Sequence, residues 1–198
     1  FINSNFTELN KITVEGLDEK NNLNLIKSLN FLKLSNLFFL DEFKVREIIN
    51  YNNLVEDYSV FKKYPSTLVI KINKTKFLAK IKKDGNNFFL GSNGKLIKTT
   101  QLKKEIPFIF GDFSNKSFFE LKKAIDESRF DYKQIQNLFF FKSGRWDIET
   151  SSGLIVRLPN KNFKKSLELA VNLLDSNYEK SIHKIDLRQR NQIIINGS

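Results

Sequence analysis

The sequence lacks cysteine altogether and contains a single histidine, His183. Without cysteine there is no disulfide bond, no thiolate metal site and no cysteine nucleophile. His183 has no second histidine to complete a metal-binding set, so we expect it to be an ordinary surface or strand residue. The motifs of serine hydrolases, P-loop proteins and dinucleotide-binding proteins are also missing. We therefore predict a protein that is not an enzyme and that uses neither a metal nor a cofactor.

Long apolar runs are missing as well. No run approaches the roughly 20 residues that cross a bilayer, and the longest, Leu37–Leu40 and Leu138–Phe141, have the length of strands. The sequence begins at Phe1 rather than at methionine, so we expect a fragment or a processed form of a longer protein. Its 198 residues, of which 40% are hydrophobic, suffice for one large folded domain or two small ones.

Positive charge is in excess, since 33 Lys and Arg against 22 Asp and Glu give a net charge of +11. One interpretation is binding to a nucleic acid or to an anionic membrane surface. The other is codon bias, because Lys, Asn, Ile and Phe are jointly abundant and all have AT-rich codons. The basic residues are spread along the chain, which favours codon bias. A nucleic-acid-binding module is kept as an alternative function, and its binding would weaken steeply with salt.

The first third of the chain predicts a small α+β domain. Residues 11–15 alternate between polar and apolar side chains and end at Gly16, as strands do. Two amphipathic helices follow, one after Asp18 and one after Asp41, which are both favourable N-cap residues. Their buried stripes are predicted at Leu25, Leu29 and Leu32 and at Val45, Ile48 and Ile49. Two further strands, at about 55–64 and 68–72, complete the order strand, helix, helix, strand, strand.

The remainder of the chain is rich in hairpin signals and contains two helices. Turns are predicted at Asp84-Gly85, Asn93-Gly94 and Ser152-Gly153. Helical spacing occurs at 118–125, opened by Ser114 or Asn115, and again at 163–174. Trp146 shares a strand face with Ile148, so we predict that it packs in the core rather than serving as an exposed anchor.

The chain closes with a predicted pair of strands, at about Ile182–Leu187 and Gln192–Ile195. A last strand with no later strand to cover it is predicted to form the edge of the sheet. An edge offers N–H and C=O groups to a strand of another chain. We predict that the following residues bind a partner: Arg188, Gln189, Arg190, Gln192, Ile193, Ile194 and Ile195. Backbone hydrogen bonds would set the register of the added strand, and the two arginines would select an acidic partner segment.

Short motifs also occur in a characteristic order along nearly the whole chain. In the first third they are Val14-x-Gly16, Leu37-Phe38-Phe39-Leu40-Asp41 and Tyr64-Pro65-Ser66-Thr67-Leu68. Beyond it they are Asp84-Gly85, Pro107 before Gly111, Arg145-Trp146-Asp147 with Gly153 and Leu158, and Ile185-Asp186-Leu187-Arg188. The first group resembles a POTRA domain. The whole set resembles the extracytoplasmic region of the bacterial cell-division family FtsQ, known as DivIB in Gram-positive bacteria.

The resemblance implies an α+β fold, with a POTRA domain (β-α-α-β-β) followed by a β-rich domain with two helices. It places a membrane-proximal linker at 1–10, the POTRA domain at 11–75 and the β-domain at 76–196. Two departures stand out. Residues 74–79 keep only the alanine of the Glu-Arg-x-Pro-x-Ala segment that often joins the two domains, which bears on the interdomain contact. Gln189 stands where the family frequently has an aromatic residue, which bears on partner recognition.

The function that the resemblance implies is that of a non-enzymatic scaffold of the divisome. The protein would be a single-pass inner-membrane protein whose transmembrane helix lies outside this sequence, with the present region in the periplasm at the division septum. The β-domain would bind FtsB and FtsL by strand addition, and so help recruit and regulate septal cell-wall synthesis. The POTRA domain would bind other divisome proteins, and nucleic acid is not among the implied partners. Another POTRA-containing assembly or secretion protein is a rival, but those usually carry several POTRA units in tandem.

Overall fold

The computed structural model of the chain describes residues 8–33, 35–100, 105–176, 182–189 and 192–197. The chain divides into two compact units. The first comprises Phe1–Phe77 with Gly91–Ile97, and the second comprises Leu78–Leu90 with Lys98–Ser198. Helices and strands are mixed in the described chain, which confirms the predicted α+β class.

The first unit contains a three-stranded sheet and two helices. Its strands are β1 (Lys11–Glu15), β2 (Val55–Lys63) and β3 (Thr67–Lys74), in the spatial order β1-β3-β2. The central strand β3 pairs parallel with β1 and antiparallel with β2. The helices are α1 (Glu19–Ser28) and α2 (Glu42–Tyr51). The predicted order of elements is therefore confirmed.

Both predicted helix caps of the first unit are present. Asp18 accepts a hydrogen bond from the Asn21 amide at 3.1 Å, and Asp41 accepts one from the Lys44 amide at 3.2 Å. Each carboxylate satisfies an amide that the first helical turn leaves without a partner. The first apolar stripe outlasts its helix, because α1 ends at Ser28 and a 3-10 turn carries Leu32 into the core.

The core of the first unit lies between its sheet and its helices. Leu68 and Ile70 of β3 are fully buried there, together with Ile49 of α2. The predicted linker reaches Asn10, yet Leu9 is also fully buried in this core and Glu8 pairs with Asn36. The described residues from Glu8 on therefore already contact the folded unit, and residues 1–7 lie outside the described part of the chain.

The other nine strands form one mixed sheet, in the order β12-β11-β10-β9-β8-β7-β4-β5-β6. In chain order the strands are β4 (Phe77–Lys83), β5 (Asn86–Gly91), β6 (Leu96–Lys98), β7 (Phe108–Phe110), β8 (Ile135–Phe140), β9 (Trp146–Thr150), β10 (Ile155–Arg157), β11 (Ile182–Asp186) and β12 (Ile194–Gly197). The two predicted helices are α3 (Asn115–Asp126) and α4 (Phe163–Asp175). All three predicted turns join consecutive strands of this sheet.

Two strands, β7 and β8, are absent from the prediction. β7 has three residues and pairs parallel with both β4 and β8. A segment of that length shows no measurable alternation, and parallel neighbours leave no turn signal, because they are far apart in the chain. β8 pairs antiparallel with β9, a hairpin that the predicted turns do not include. The sheet therefore contains one more hairpin than the turn signals indicate, together with parallel pairs.

The core of the second unit is built around Trp146, which is fully buried as predicted. Its indole N–H donates to the Ser117 hydroxyl of α3 at 3.1 Å, and the ring packs against Phe140. Ser114 caps α3 by accepting from the Ser117 amide at 3.2 Å. Leu167 of α4 is also fully buried. Trp146 is the only tryptophan in the chain, so its fluorescence reports on the folding of this unit.

We predict that Gly111→Ala destabilises the second unit much more than Gly153→Ala. Both glycines have a positive φ, +101° and +85°, but only at Gly111 would a Cβ atom meet the backbone, 2.2 Å from the Phe140 carbonyl oxygen. Backbone strain is common to both substitutions, whereas steric overlap is added at Gly111. The difference in unfolding free energy should be at least about 2 kcal/mol. Urea unfolding followed by Trp146 fluorescence measures it, and equal midpoints would contradict the assigned contact.

Candidate partner-binding site

The last described strand, β12, lies at one end of the nine-stranded order and has β11 as its single neighbour in the described chain. The two strands are antiparallel, with Ile185 opposite Ile195 and Asp186 opposite Ile194. Every described side chain from Gln192 to Asn196 is exposed. The predicted edge is therefore present, on the strand Ile194–Gly197.

The two faces of the edge strand differ in their neighbours. On one face a row of apolar residues crosses the sheet in register: Ile109, Leu138, Ile148, Val156, Ile185 and Ile195. The first five are buried, whereas Ile195 is 41% exposed. On the opposite face Ile194 lies beside Asp186 and is 49% exposed. The apolar row is thus buried as far as β11 and becomes exposed to solvent at β12.

The predicted binding residues do not all lie in this strand. Arg188 and Gln189 lie in the exposed segment between β11 and β12, Gln192 and Ile193 precede β12, and Ile194 and Ile195 belong to it. Arg190 lies outside the described residues. The predicted strand Gln192–Ile195 begins two residues too early, because the pairing with β11 begins at Ile194. The predicted strand Ile182–Leu187 ends at Asp186, but the Leu187 amide still donates to the Arg157 carbonyl at 2.9 Å.

Charged residues alternate in sign across the face that Ile194 shares. We call them the charge row: Arg145, Asp147, Arg157, Asp186 and Arg188. Register places Arg157 of β10 between Asp147 of β9 and Asp186 of β11. Arg157 lies 3.5 Å from Asp147 and 3.8 Å from Asp186, and Arg145 lies 3.6 Å from Asp147. These three contacts are ion pairs without hydrogen-bond geometry.

The strongest pair of the charge row is Arg188 with Asp186. The Arg188 Nε donates to the Asp186 Oδ1 at 2.8 Å, its Nη2 donates to Oδ2 at 2.5 Å, and its backbone amide donates to Oδ1 at 3.2 Å. Charge-assisted, forked pairing of this kind fixes the direction of a guanidinium group. Arg188 is therefore a cation held in place beside the edge strand rather than a mobile surface charge.

The surroundings shift the pKa values of the two carboxylates of the charge row in opposite directions. The hydrogen bonds from Arg188 lower the pKa of Asp186 below its ordinary value. Burial raises the pKa of Asp147, although Arg145 and Arg157 act in the other direction. The same pairing with Asp186 raises the pKa of Arg188. Asp186 is thus stabilised as an anion, whereas Asp147 is ionised at a cost.

Four members of the charge row are absent from the predicted site: Arg145, Asp147, Arg157 and Asp186. For Asp147 and Arg157 a signal exists in the alternation of the strands. Trp146 and Ile148 point into the core, which turns Asp147 to the other face, and Val156 does the same for Arg157. Their pairing requires the register of β9 with β10, which the Ser152-Gly153 turn specifies.

The chemistry available around β12 is that of recognition. Backbone groups of an edge strand, exposed isoleucines and an oriented guanidinium are the groups that strand addition by a peptide segment uses. In the described part of the chain, no three His, Cys, Asp or Glu residues lie together as a metal-ligand set. The single histidine, His183, lies exposed in β11, as predicted for a surface or strand residue.

Fold and sequence together define the class of protein. A POTRA domain of the FtsQ type matches residues 7–74, and the C-terminal region of the cell division protein FtsQ/DivIB matches residues 79–188. The second match alone covers more than half of the chain. The chain belongs to the FtsQ/DivIB family of bacterial cell-division proteins, whose members are membrane proteins of the divisome.

The similar proteins include FtsQ of two organisms. The cell division protein FtsQ of Rickettsia bellii (strain RML369-C) is 22% identical over 191 residues, which cover 95% of this chain and 72% of that protein. FtsQ of Bradyrhizobium diazoefficiens is 23% identical over 172 residues, covering 81% of this chain and 48% of that protein. The major extracytoplasmic domain of DivIB from Geobacillus stearothermophilus, as its trans isomer, is 16% identical with a TM-score of 0.40, covering 54% of this chain and 99% of that structure.

The helices in the described ranges are too short or too polar to cross a membrane.

We predict that Asp186→Asn lowers stability in a pH-dependent way. Because the pKa of Asp186 is lowered in the folded chain, its pairing stabilises the fold above the ordinary value of 3.8 and is lost as the pH falls below it. The variant should lose about 1.5–3 kcal/mol of unfolding free energy at neutral pH, and the difference from the wild type should vanish at strongly acidic pH. Urea unfolding at a series of pH values measures it.

Asp175→Asn provides the matched control, because Asp175 also pairs with an arginine, Arg129, at 2.8 Å but is exposed. Its loss should be small at every pH, since solvent and salt screen exposed ion pairs. An Asp186→Asn deficit that persists unchanged in acid would mean that the carboxylate stabilises the fold through something other than its charge.

Proposed function

We propose that this chain is the periplasmic part of a non-enzymatic scaffold of the divisome, and that β12 binds the FtsB–FtsL pair by accepting a partner strand. The observation that carries the proposal is the position of β12 at the end of the sheet, with exposed residues on both of its faces. An added strand would extend the backbone ladder and would continue the apolar row past Ile195. Through this contact the protein would help recruit and regulate septal cell-wall synthesis.

Backbone pairing and apolar burial supply most of the affinity in this mechanism. Arg188 already uses its Nε and Nη2 on Asp186, so a partner carboxylate meets a guanidinium whose charge is largely balanced within the chain. Such a rim contact contributes under about 1 kcal/mol. Its effect is on orientation and on the choice of an acidic partner segment rather than on binding strength.

The domain organisation is proposed along the same lines. Residues 1–10 form a membrane-proximal linker whose last residues, from Glu8 on, also contact the POTRA domain. The POTRA domain spans 11–75 and the β-domain spans 76–196. The Rickettsia relative extends beyond the matched part, since the alignment covers 72% of it. A single transmembrane helix upstream would anchor the protein in the inner membrane at the septum, and the POTRA domain would bind other divisome proteins.

The test of strand addition is Ile194→Pro. Proline removes the backbone N–H of the edge strand and restricts its conformation. We expect at least about a tenfold loss of affinity for the FtsB–FtsL pair, measured by calorimetry or surface plasmon resonance, with Trp146 fluorescence showing that the second unit stays folded.

Ile194→Thr is the matched control, because threonine keeps the N–H and the β-branched shape while removing apolar surface. It should change the affinity by less than about threefold. If a folded Ile194→Pro chain binds FtsB–FtsL as tightly as the wild type, strand addition at β12 is wrong.

A further inference from the structure

The first unit exposes three aromatic side chains at the end of the sheet where β1 begins. Phe38, Phe39 and Tyr64 are 56%, 87% and 54% exposed. The rings of Phe38 and Tyr64 stack with their centroids 4.6 Å apart. We call these three residues the aromatic tip. Exposed aromatic side chains that lie together form an apolar patch. Such a patch marks an interaction surface, whereas single exposed rings scattered over a surface do not.

Hydrogen bonds locate the aromatic tip beside the first described residues of the chain. The amides of Asn10 and Lys11 both donate to the Ser66 carbonyl, at 2.9 and 3.2 Å, and the Leu9 amide donates to the Ser35 carbonyl at 2.9 Å. Ser66 belongs to the turn that carries Tyr64, and Ser35 to the loop that carries Phe38 and Phe39. The backbone of residues 9–11 is therefore hydrogen-bonded to both segments that display the tip.

Lysines accompany the aromatic tip. Lys11 of β1 and Lys63 of β2 both lie opposite Thr67 of β3, so they flank the same end of the sheet, and both are exposed. Lys33 is exposed and lies two residues before Ser35. The carboxylates at this end are Glu8, Asp41 and Glu42. Asp41 pairs with Lys44, and Glu42 pairs with Lys62 and Arg46. Cations therefore outnumber carboxylates around the tip.

We propose that the aromatic tip docks on the surface of an anionic phospholipid bilayer. The inference rests on the proposed function, which places a membrane anchor upstream of Glu8 and therefore brings this end of the first unit nearest to the bilayer along the chain. Aromatic rings partition into the headgroup region, and lysines are attracted by anionic lipids. Docking holds the first unit at the membrane surface in a defined orientation.

The absence of cysteine allows a direct test by single-site labelling. Phe39→Cys and Tyr51→Cys would each carry an environment-sensitive fluorophore. Tyr51 is the matched control site, because it is 90% exposed and lies at the far end of α2, about 15 Å along the helix axis from its start. Each chain is tethered through an N-terminal His tag to vesicles of phosphatidylcholine, phosphatidylglycerol and a nickel-chelating lipid.

We expect the label at residue 39 to shift to the blue and to be quenched by nitroxide-labelled lipids, while the label at residue 51 keeps its emission in water. Replacing phosphatidylglycerol by phosphatidylcholine should weaken the response at residue 39. A label at residue 39 that stays solvent-like on tethered vesicles overturns the inference. An equal response at both positions overturns it too, since contact would then be non-specific.

A second measurement uses untethered chains and co-sedimentation with vesicles of phosphatidylglycerol and phosphatidylcholine. The double variant Phe38→Ser, Phe39→Ser should bind at least about fivefold less tightly than wild type, and Tyr51→Ser should stay within about twofold. All three positions are exposed, so the fold tolerates the changes. If the double variant binds vesicles normally and instead loses a protein partner, the aromatic tip is a protein-binding surface and the inference is wrong.

Failure of this inference is distinguishable from failure of the proposed function. Ile194→Pro should lose FtsB–FtsL binding and keep the lipid response, whereas the double variant should keep FtsB–FtsL binding and lose the lipid response. If the wild-type chain binds FtsB–FtsL but shows no lipid response, the docking surface is wrong and the proposed scaffold function is unaffected.

Discussion

The parallel pairing of β10 with β11 is the constraint on which the candidate site depends. The helix α4 carries the chain from one strand to the other, so that β11 runs in the same direction as β10 and not back along it. This pairing sets Ile185 beside Val156 in the core and Asp186 beside Arg157 on the opposite face. It also leaves β12 as the outer strand. The apolar contact of Ile185, the Arg157–Asp186 pair and the position of the edge thus depend on this one register.

The charge row contributes more to arrangement than to net stability. Burying ions is costly, and burial raises the pKa of Asp147 against the attraction of Arg145, Arg157 and Arg188. Asp186 differs because it receives four hydrogen bonds from one residue, Arg188. A shift of one residue between neighbouring strands would turn these charged side chains towards the apolar face of the sheet, and burying them there without partners is costly. The row therefore fixes the orientation of Arg188 and the alignment of the strands that lead to the edge.

Local signals predicted the parts of this fold that depend on neighbours in sequence. The caps at Asp18, Asp41 and Ser114, the three glycine turns and the buried faces of Trp146 and Ile148 all arise within a few residues of one another. The strand β7 was missed because its three residues acquire their structure from β4 and β8, which are distant in the chain. The start of β12 was misplaced by two residues because β-branched residues favour a strand without specifying where pairing with β11 begins.

The sequence by itself determined the α+β class, the order of the elements in the first unit, the family and the presence of a final strand at a sheet edge, since each follows from periodicity, caps, turns or motif order. Only the tertiary structure decided which residues share a face. It joined Asp147, Arg157 and Asp186 into one row, and it brought Phe38 and Tyr64 into contact beside the beginning of β1. The physical reason is that strand register and loop packing are relations between distant segments, which no local pattern encodes.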